Sequence, residues 1–297
     1  MSYLVSGKYF SELTSIGCHT NLWDFSKQQY HRWVEEEGII DKLAPLVPSN
    51  HISTQENENK ISVGVGLHDS SAALIPYLAS FTEPFVLIST GTWCISLNPF
   101  NDTLLTHEEL QHDCLCYLTY KGKPVKASRI FAGNEHEEQV KRLADHFSKP
   151  VDSFKTVSLD TGILERLETV SPAIYAHAGD NPESVLKEFA FNKKNLGDFT
   201  TYEEAYHQLI LDIVAQQVFS TQLVLNGADA SRIFVDGGFS KNPIYMHLLA
   251  KAFPAKAVFA ASVAQATSLG AALAIHTAWN DRPLPENLIK LKQFAGE

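Results

Sequence analysis

The last 66 residues of the chain alternate in a way that few folds allow. From Arg232 it reads strand RIFVD, turn GGFSKN, helix PIYMHLLAKAF, strand AKAVFAA and helix VAQATSLGAALAIHTAW. Strand, helix, strand, helix at this spacing predicts a parallel α/β arrangement, because a crossover helix is what returns the chain to lay a second strand beside the first in the same direction. Pro243 stands where a first helical turn tolerates the loss of an N–H. Immediately upstream, TTYEEAYHQLILDIVAQQVFSTQLVLNG places Leu209, Ile213, Val214, Val218 and Leu225 at helical spacing, which predicts a long amphipathic helix closed by Asn226 and Gly227.

Two further segments show the same change of period. In ISVGVGLHDSSAALIPYLASF, Ile61, Val63 and Val65 alternate as a strand does, and a run of small residues from Ser70 opens a helix, leaving His68 and Asp69 at the turn. The apolar run PFVLIS and the segment WCISLNP flank a small turn, predicting a β-hairpin whose tip is Thr90, Gly91 and Thr92. Near the start, Ser26 and Gln29 have the spacing of a capping box ahead of Tyr30, Trp33 and Val34, with Gly38 placed to end the helix. Residues 49–60 are polar and read as an exposed loop or edge, and Pro124, Pro150, Pro172 and Pro182 cut the middle of the chain into short pieces. With 297 residues, 44% of them hydrophobic and 20% charged, the chain has room for two domains or one large α/β unit.

Charge decides which partners are open to it. Against 24 Lys and Arg stand 34 Asp and Glu, a net charge of −10, which argues against a nucleic-acid or membrane-surface binder, since either would gather cations. An anionic ligand would have to be held by local dipoles, and two turns offer them. In DGGFSKN, 236–242, two glycines after a strand let backbone N–H groups approach a ligand, and the next helix aims its positive end at the same place; a plain tight turn has the same composition. At Ser89 to Thr92, three hydroxyls and a glycine offer short donors to phosphate, as would an ordinary hairpin. Asp69 at the carboxyl end of a strand suits a general base for a hydroxyl nucleophile and equally a helix N-cap. No GxxxxGK[ST] occurs, which excludes the P-loop class.

Other short patterns lead nowhere. His107, His112, Cys114 and Cys116 match no common zinc spacing, so no metal ligand is assigned, and thiols in a strand are the simpler reading. GNEHEEQV, 133–140, is not HExxH and reads as a solvated helix start. Asp160, Thr161 and Gly162 spell the DTG of aspartic proteases, but the residues that follow depart from it and no second copy exists. Four cysteines are too few for a disulfide scaffold, and the amino terminus has no signal pattern; a cytoplasmic chain with reduced thiols is expected.

Taken together and in order, these segments resemble the FGGY family of carbohydrate kinases in the actin-like ATPase superfamily. GLHDSSAAL, 66–74, resembles the segment bearing that family's catalytic aspartate, which falls on Asp69. LISTGTW, 87–93, resembles its second phosphate hairpin, with an ending similar to rhamnulokinase-like members. VDGGFSKNPIYMHLLA, 235–250, is similar to the adenosine motif, with Asp236 where many members have glycine and Phe239 where they have a smaller residue. QATSLGAAL, 265–273, is similar to the small-residue helix that follows, and LVSGKYFSELTSIGCHTNLWDF to the stretch that precedes the catalytic aspartate.

The resemblance implies an actin-like ATPase (ribonuclease H-like) domain at 81–297, preceded at 1–80 by part of a second such domain. It implies transfer of the ATP γ-phosphate to a sugar hydroxyl, with Mg²⁺ neutralising the phosphates and domain closure excluding water. Asp69 is then the base; Thr90, Gly91 and Thr92 hold the β- and γ-phosphates; Gly237, Gly238, Phe239 and Asn242 lie along the nucleotide. The expected partners are a small-molecule sugar and, for assembly, a second copy of the chain, with neither nucleic acid nor membrane. No D-x-G-T phosphate loop occurs in residues 1–60, so the chain resembles the carboxyl-terminal part of such a kinase. The alternative expectation is a nucleotide-binding fragment that does no chemistry.

Overall fold

A computed structural model describes residues 2–54, 61–170, 189–263, 265–285 and 287–295. In chain order its principal elements begin with helices α1 (Leu13–His19) and α2 (Asp69–Ser80), then strands β1 (Phe85–Thr90), β2 (Cys94–Asn98), β3 (Cys114–Leu118) and β4 (Pro124–Ile130). Helices α3 (Ala132–Phe147), α4 (Thr161–Val170) and α5 (Tyr202–Leu225) follow. The chain continues through β5 (Arg232–Gly237), α6 (Pro243–Ala252), β6 (Ala257–Ser262), α7 (Ala266–Ala274) and β7 (Lys290–Phe294). It divides into two compact units: Met1–Thr82 with Cys116–Lys126 and Val263–Lys290, and Glu83–Leu115 with Ala127–Ser262 and Leu291–Glu297.

In the first unit the helix expected after Ser26 is displaced. Trp23–Asp24 and Gln29–Tyr30 pair as short antiparallel strands, and Ser26 serves the Asp24 carboxylate, donating its hydroxyl at 2.6 Å, so the local helix starts only at Arg32. Ile52–Thr54 pairs with Ser62–Gly64; the rest of the loop expected at 49–60 lies, from residue 55 on, outside the described residues, as do Pro172 and Pro182. Helix α1 is capped by the buried Glu12 carboxylate, which accepts from Thr14 N at 2.9 Å and Ser15 N at 3.0 Å. Helices α2 and α7 pack backbone to backbone: a Cβ on Gly270 would collide with the carbonyl of Ala72.

The second unit holds β1, β2, β5 and β6 of a seven-stranded sheet whose order is β7-β6-β5-β1-β2-β4-β3. Strands β5 and β6 are parallel, as the alternating pattern predicts, and β5 also runs parallel to β1, with Val235 opposite Ile88 and Gly237 opposite Thr90. The hairpin β1–β2 is antiparallel, with Leu87 opposite Leu97. Helix α5 is long and apolar enough to cross a membrane by length and composition, but it is buried on nearly every side, packed on β1, β2, α3 and α6. Two of its polar residues bond to the sheet: Gln217 donates to Ser96 Oγ at 2.9 Å, and Ser220 to Ser128 Oγ at 2.9 Å. At its end Asn98 and Asn101 both donate to the Val224 carbonyl at 2.9 Å, and Gly227 turns the chain at φ +85°.

Candidate functional site

The two turns singled out in the sequence meet in the second unit because β5 lies beside β1. Thr90, the last residue of β1, is buried, and its hydroxyl is spent on the neighbouring turn: it donates to the Asp236 carbonyl at 2.6 Å and accepts from Phe239 N at 3.0 Å. The Thr90 carbonyl accepts from Gly238 N at 2.9 Å. One threonine thus staples the tip of the hairpin to the glycine turn. The N–H groups expected to face a ligand point elsewhere, since Gly237 N donates to its neighbour Asp236 Oδ1 at 2.7 Å and those of Gly238 and Phe239 go to Thr90. The start of α6 is likewise closed: Asn242 Oδ1 accepts from Ile244 N and Tyr245 N at 3.0 and 3.1 Å.

The four glycines here fall into two kinds. Gly237 has φ +94° and a Cβ on it would collide with the Thr90 carbonyl; one on Gly133, at the start of α3, would collide with the Gly91 carbonyl. Those two allow close approach of backbone to backbone. Gly238 and Gly91 differ: neither has φ in the left-handed region, and a Cβ would come no nearer than 3.9 and 3.8 Å to any neighbour. Neither conformation nor packing requires glycine there. Both line a cavity of about 580 Å³, into which a side chain would intrude.

The other walls of that cavity come from residues not picked out as site residues in the sequence. His136 on α3 and Tyr206 on α5 line it, with Phe154, Lys155 and Lys241, beside the expected Phe239 and Asn242. Phe239 is buried, stacked on Tyr245 with ring centroids 4.8 Å apart, and faces His136 edge-on at 5.3 Å. His136 Nε2 lies 3.0 Å from the Tyr206 hydroxyl, which accepts from Asn242 Nδ2 at 2.8 Å. Burial pushes the His136 imidazole down to about 4, so it is neutral near pH 7, and burial raises the Tyr206 phenol, which keeps its proton. Lys155 and Lys241 bring cations to an otherwise uncharged cavity. Thr92 is exposed, and its carbonyl accepts from Asn134 N at 3.2 Å.

Asp69 belongs to the first unit. It is the first residue of α2, its side chain 78% exposed, with Oδ1 accepting from Ser70 N at 2.7 Å and lying 3.2 Å from His68 Nε2. The preceding backbone is tied down, as His68 N donates to Thr14 Oγ1 at 3.0 Å while that hydroxyl donates to Glu12 at 2.7 Å. The segments set aside in the sequence have structural places. Asp160 Oδ1 caps α4 through Ile163 N at 3.1 Å, and Cys114 and Cys116 lie in β3 among four free thiols. GNEHEEQV is the start of α3, solvated at Glu137 and Glu138 but turning His136 to the cavity.

Residues 82–283 match the family model described as "Carbohydrate kinase FGGY, C-terminal domain". No curated protein matches the sequence. Among solved structures the chain is similar to a carbohydrate kinase from Novosphingobium aromaticivorans, with 22% identity and a TM-score of 0.68 over 99% of this chain and 64% of that one. It is similar also to a ligand-bound xylulose kinase from Lactobacillus acidophilus, with 14% identity and a TM-score of 0.71 over 99% and 61% of the two chains. A Plasmodium falciparum glycerol kinase with ADP shares 16% identity, with a TM-score of 0.63 over 94% and 57%. At these identities the likeness is one of fold, and the chain spans between 57% and 64% of the length of these structures.

Proposed function

The chain belongs to the FGGY family of carbohydrate kinases, and from that premise we propose that it acts with ATP on a small-molecule sugar, transferring the γ-phosphoryl group to a hydroxyl of a ketose or related sugar in the cytoplasm. The observation that carries the nucleotide half of this reading is the pair Gly91 and Gly238, whose bare backbone lines a cavity although neither φ nor packing demands glycine. A group that must lie flat on the main chain explains both residues at once. Aromatic walls suit a flat base, and Lys155 and Lys241 suit phosphate. That a glycerol kinase of this fold was solved with ADP supports the assignment. Mg²⁺ enters as the companion of ATP: it prefers phosphate oxygens and water to an all-protein cage, which suits described residues among which no three His, Cys, Asp or Glu gather. When bound, it neutralises charge on the phosphates.

In the proposed reaction the exposed Asp69 carboxylate takes the proton of the sugar hydroxyl as that oxygen bonds to the γ-phosphorus and the bond to ADP breaks. Its ties to Ser70 N and to the His68 turn hold it without burying it. Thr90 fixes the floor on which Gly91 and Gly238 lie, and Asn242 fixes the wall. The test measures ATP binding calorimetrically and ADP release with a panel of ketoses, aldoses and polyols. Sugar-dependent ADP release is expected. ATP binding without turnover on any acceptor would refute the kinase reading and leave a nucleotide-binding protein.

A further inference from the structure

A hydrogen-bond chain along one wall of the cavity has only one consistent direction. Asn242 Oδ1 accepts from two backbone N–H groups, Ile244 N and Tyr245 N, so the amide cannot be turned round and its Nδ2 must be the donor to Tyr206 at 2.8 Å. The Tyr206 oxygen is therefore an acceptor there. Its own hydrogen has one acceptor within reach among the described residues, His136 Nε2 at 3.0 Å; Tyr206 is 1% exposed, and leaving that proton unpaired would cost roughly 1–3 kcal/mol. Nε2 is thus unprotonated. Since burial keeps the imidazole neutral, its single proton is on Nδ1.

We propose that His136 reads the nucleotide base, donating a hydrogen bond from Nδ1–H to an unprotonated ring nitrogen of an adenine-type purine. This rests on the cavity being a nucleotide site. Three rings hold the imidazole in place, Phe154 at 5.0 Å, Phe239 at 5.3 Å and Tyr206 at 5.8 Å, all nearly perpendicular to it. No side-chain hydrogen bond of His136 other than that with Tyr206 occurs among the described residues, so Nδ1–H is the polar group left for a ligand. A neutral donor boxed in by aromatic rings suits a flat heterocycle. It is unsuited to phosphate, which would select a cation; N3 and N7 accept in either purine, whereas N1 accepts in adenine and carries its own N–H in guanine, so a contact at N1 would select adenine.

The test titrates the full chain with ATP and with its 1-deaza, 3-deaza and 7-deaza analogues, each lacking one ring acceptor. Wild-type protein is expected to bind one of the three about tenfold more weakly than ATP. His136→Phe, which keeps a ring but no donor, is expected to bind ATP about tenfold more weakly and to lose the discrimination against that same analogue. Tyr206→Phe, which frees the tautomer, is expected to fall between. If wild-type protein binds ATP and all three analogues equally, or if His136→Phe weakens all four alike, the base-reading role is overturned while the nucleotide site stands. If wild-type protein binds no ATP, the underlying reading falls as well. The analogue series on wild-type protein decides the matter even if the variant fails to fold.

Discussion

Replacing Gly238 by alanine should separate stability from binding. Gly238 has φ −64° and ψ −49°, a conformation alanine adopts freely, and the added Cβ would lie 3.9 Å from its nearest neighbour, the Thr90 carbonyl. The folded state therefore loses nothing, and the unfolded chain loses freedom, a gain of about 0.4–1 kcal/mol. For a folded unit of this size that is a rise in Tm of roughly 1–4 °C. The methyl projects into the cavity, however, and forcing a bound nucleotide off the backbone by such a distance costs about 1–3 kcal/mol, or a roughly five- to 150-fold loss of ATP affinity. Differential scanning fluorimetry and calorimetry on the same preparation measure both. A Tm increase with ATP affinity within twofold of wild type would show that no ligand lies against Gly238, and a fall in Tm would refute the reading of its backbone. Its neighbour supplies the contrast: Gly237→Ala, at φ +94° and against the Thr90 carbonyl, should lower Tm by several degrees.

Asp69→Asn should leave ATP affinity within twofold and reduce sugar-dependent ADP release by about 10²–10⁴-fold; retention of normal turnover would remove Asp69 as the base. Thr90→Val keeps the shape but deprives the Asp236 carbonyl and Phe239 N–H of their partner, and should cost at least about 1–3 kcal/mol in urea denaturation. Thr90→Ser should recover most of it. Asp212 in α5 is buried, and burial pushes its carboxyl from 3.8 up to about 6, with Lys194 at 3.9 Å and the hydrogen bond from Gln208 at 2.8 Å opposing. Because the fold binds that proton more tightly than the unfolded chain does, its contribution is fully present below about pH 4 and is lost as pH rises through about 6. Asp212→Asn should accordingly be the more stable protein at pH 7.5, by roughly 1–3 kcal/mol, an advantage that shrinks towards pH 4; equal shifts at both pH values would refute the cause assigned.

The parts of this fold legible in the sequence are those whose hydrophobic period is imposed locally. The run from Arg232 announces β5, α6 and β6 because each strand is a short apolar block and each helix opens on a cap or proline, and the hairpin β1–β2 announces itself by two apolar runs around Thr90 to Thr92. Helix α5 was legible as a helix but not in its setting: buried nearly all round, it carries Gln217 and Ser220 for the sheet, so the polar residues that suggest a wet face are interior. The same reason hides the far wall of the cavity. His136 sits in a stretch that is otherwise acidic, and nothing nearby in sequence signals that Tyr206, 70 positions on, will meet it, or that Asn242, 36 positions beyond Tyr206, will bond to that tyrosine. Ser26 shows the opposite failure, a locally good capping pattern overruled by the carboxylate of Asp24. That Cys116–Lys126 and Val263–Lys290 fold with the first unit also depends on tertiary partners that no local window contains.

The Thr90 staple joins residues 146 positions apart, which imposes an order on biosynthesis. At about 5–20 residues per second, β1 leaves the ribosome some 7–30 s before the strand that completes it. Through that interval the edge of β1 that will pair with β5 has no partner of its own, although Phe85 to Ile88 are among the most apolar residues in the protein. The cavity floor is thus a late product of translation, and expression at lower temperature or with added chaperone should raise the soluble yield of this chain more than any improvement to its already well-formed helices.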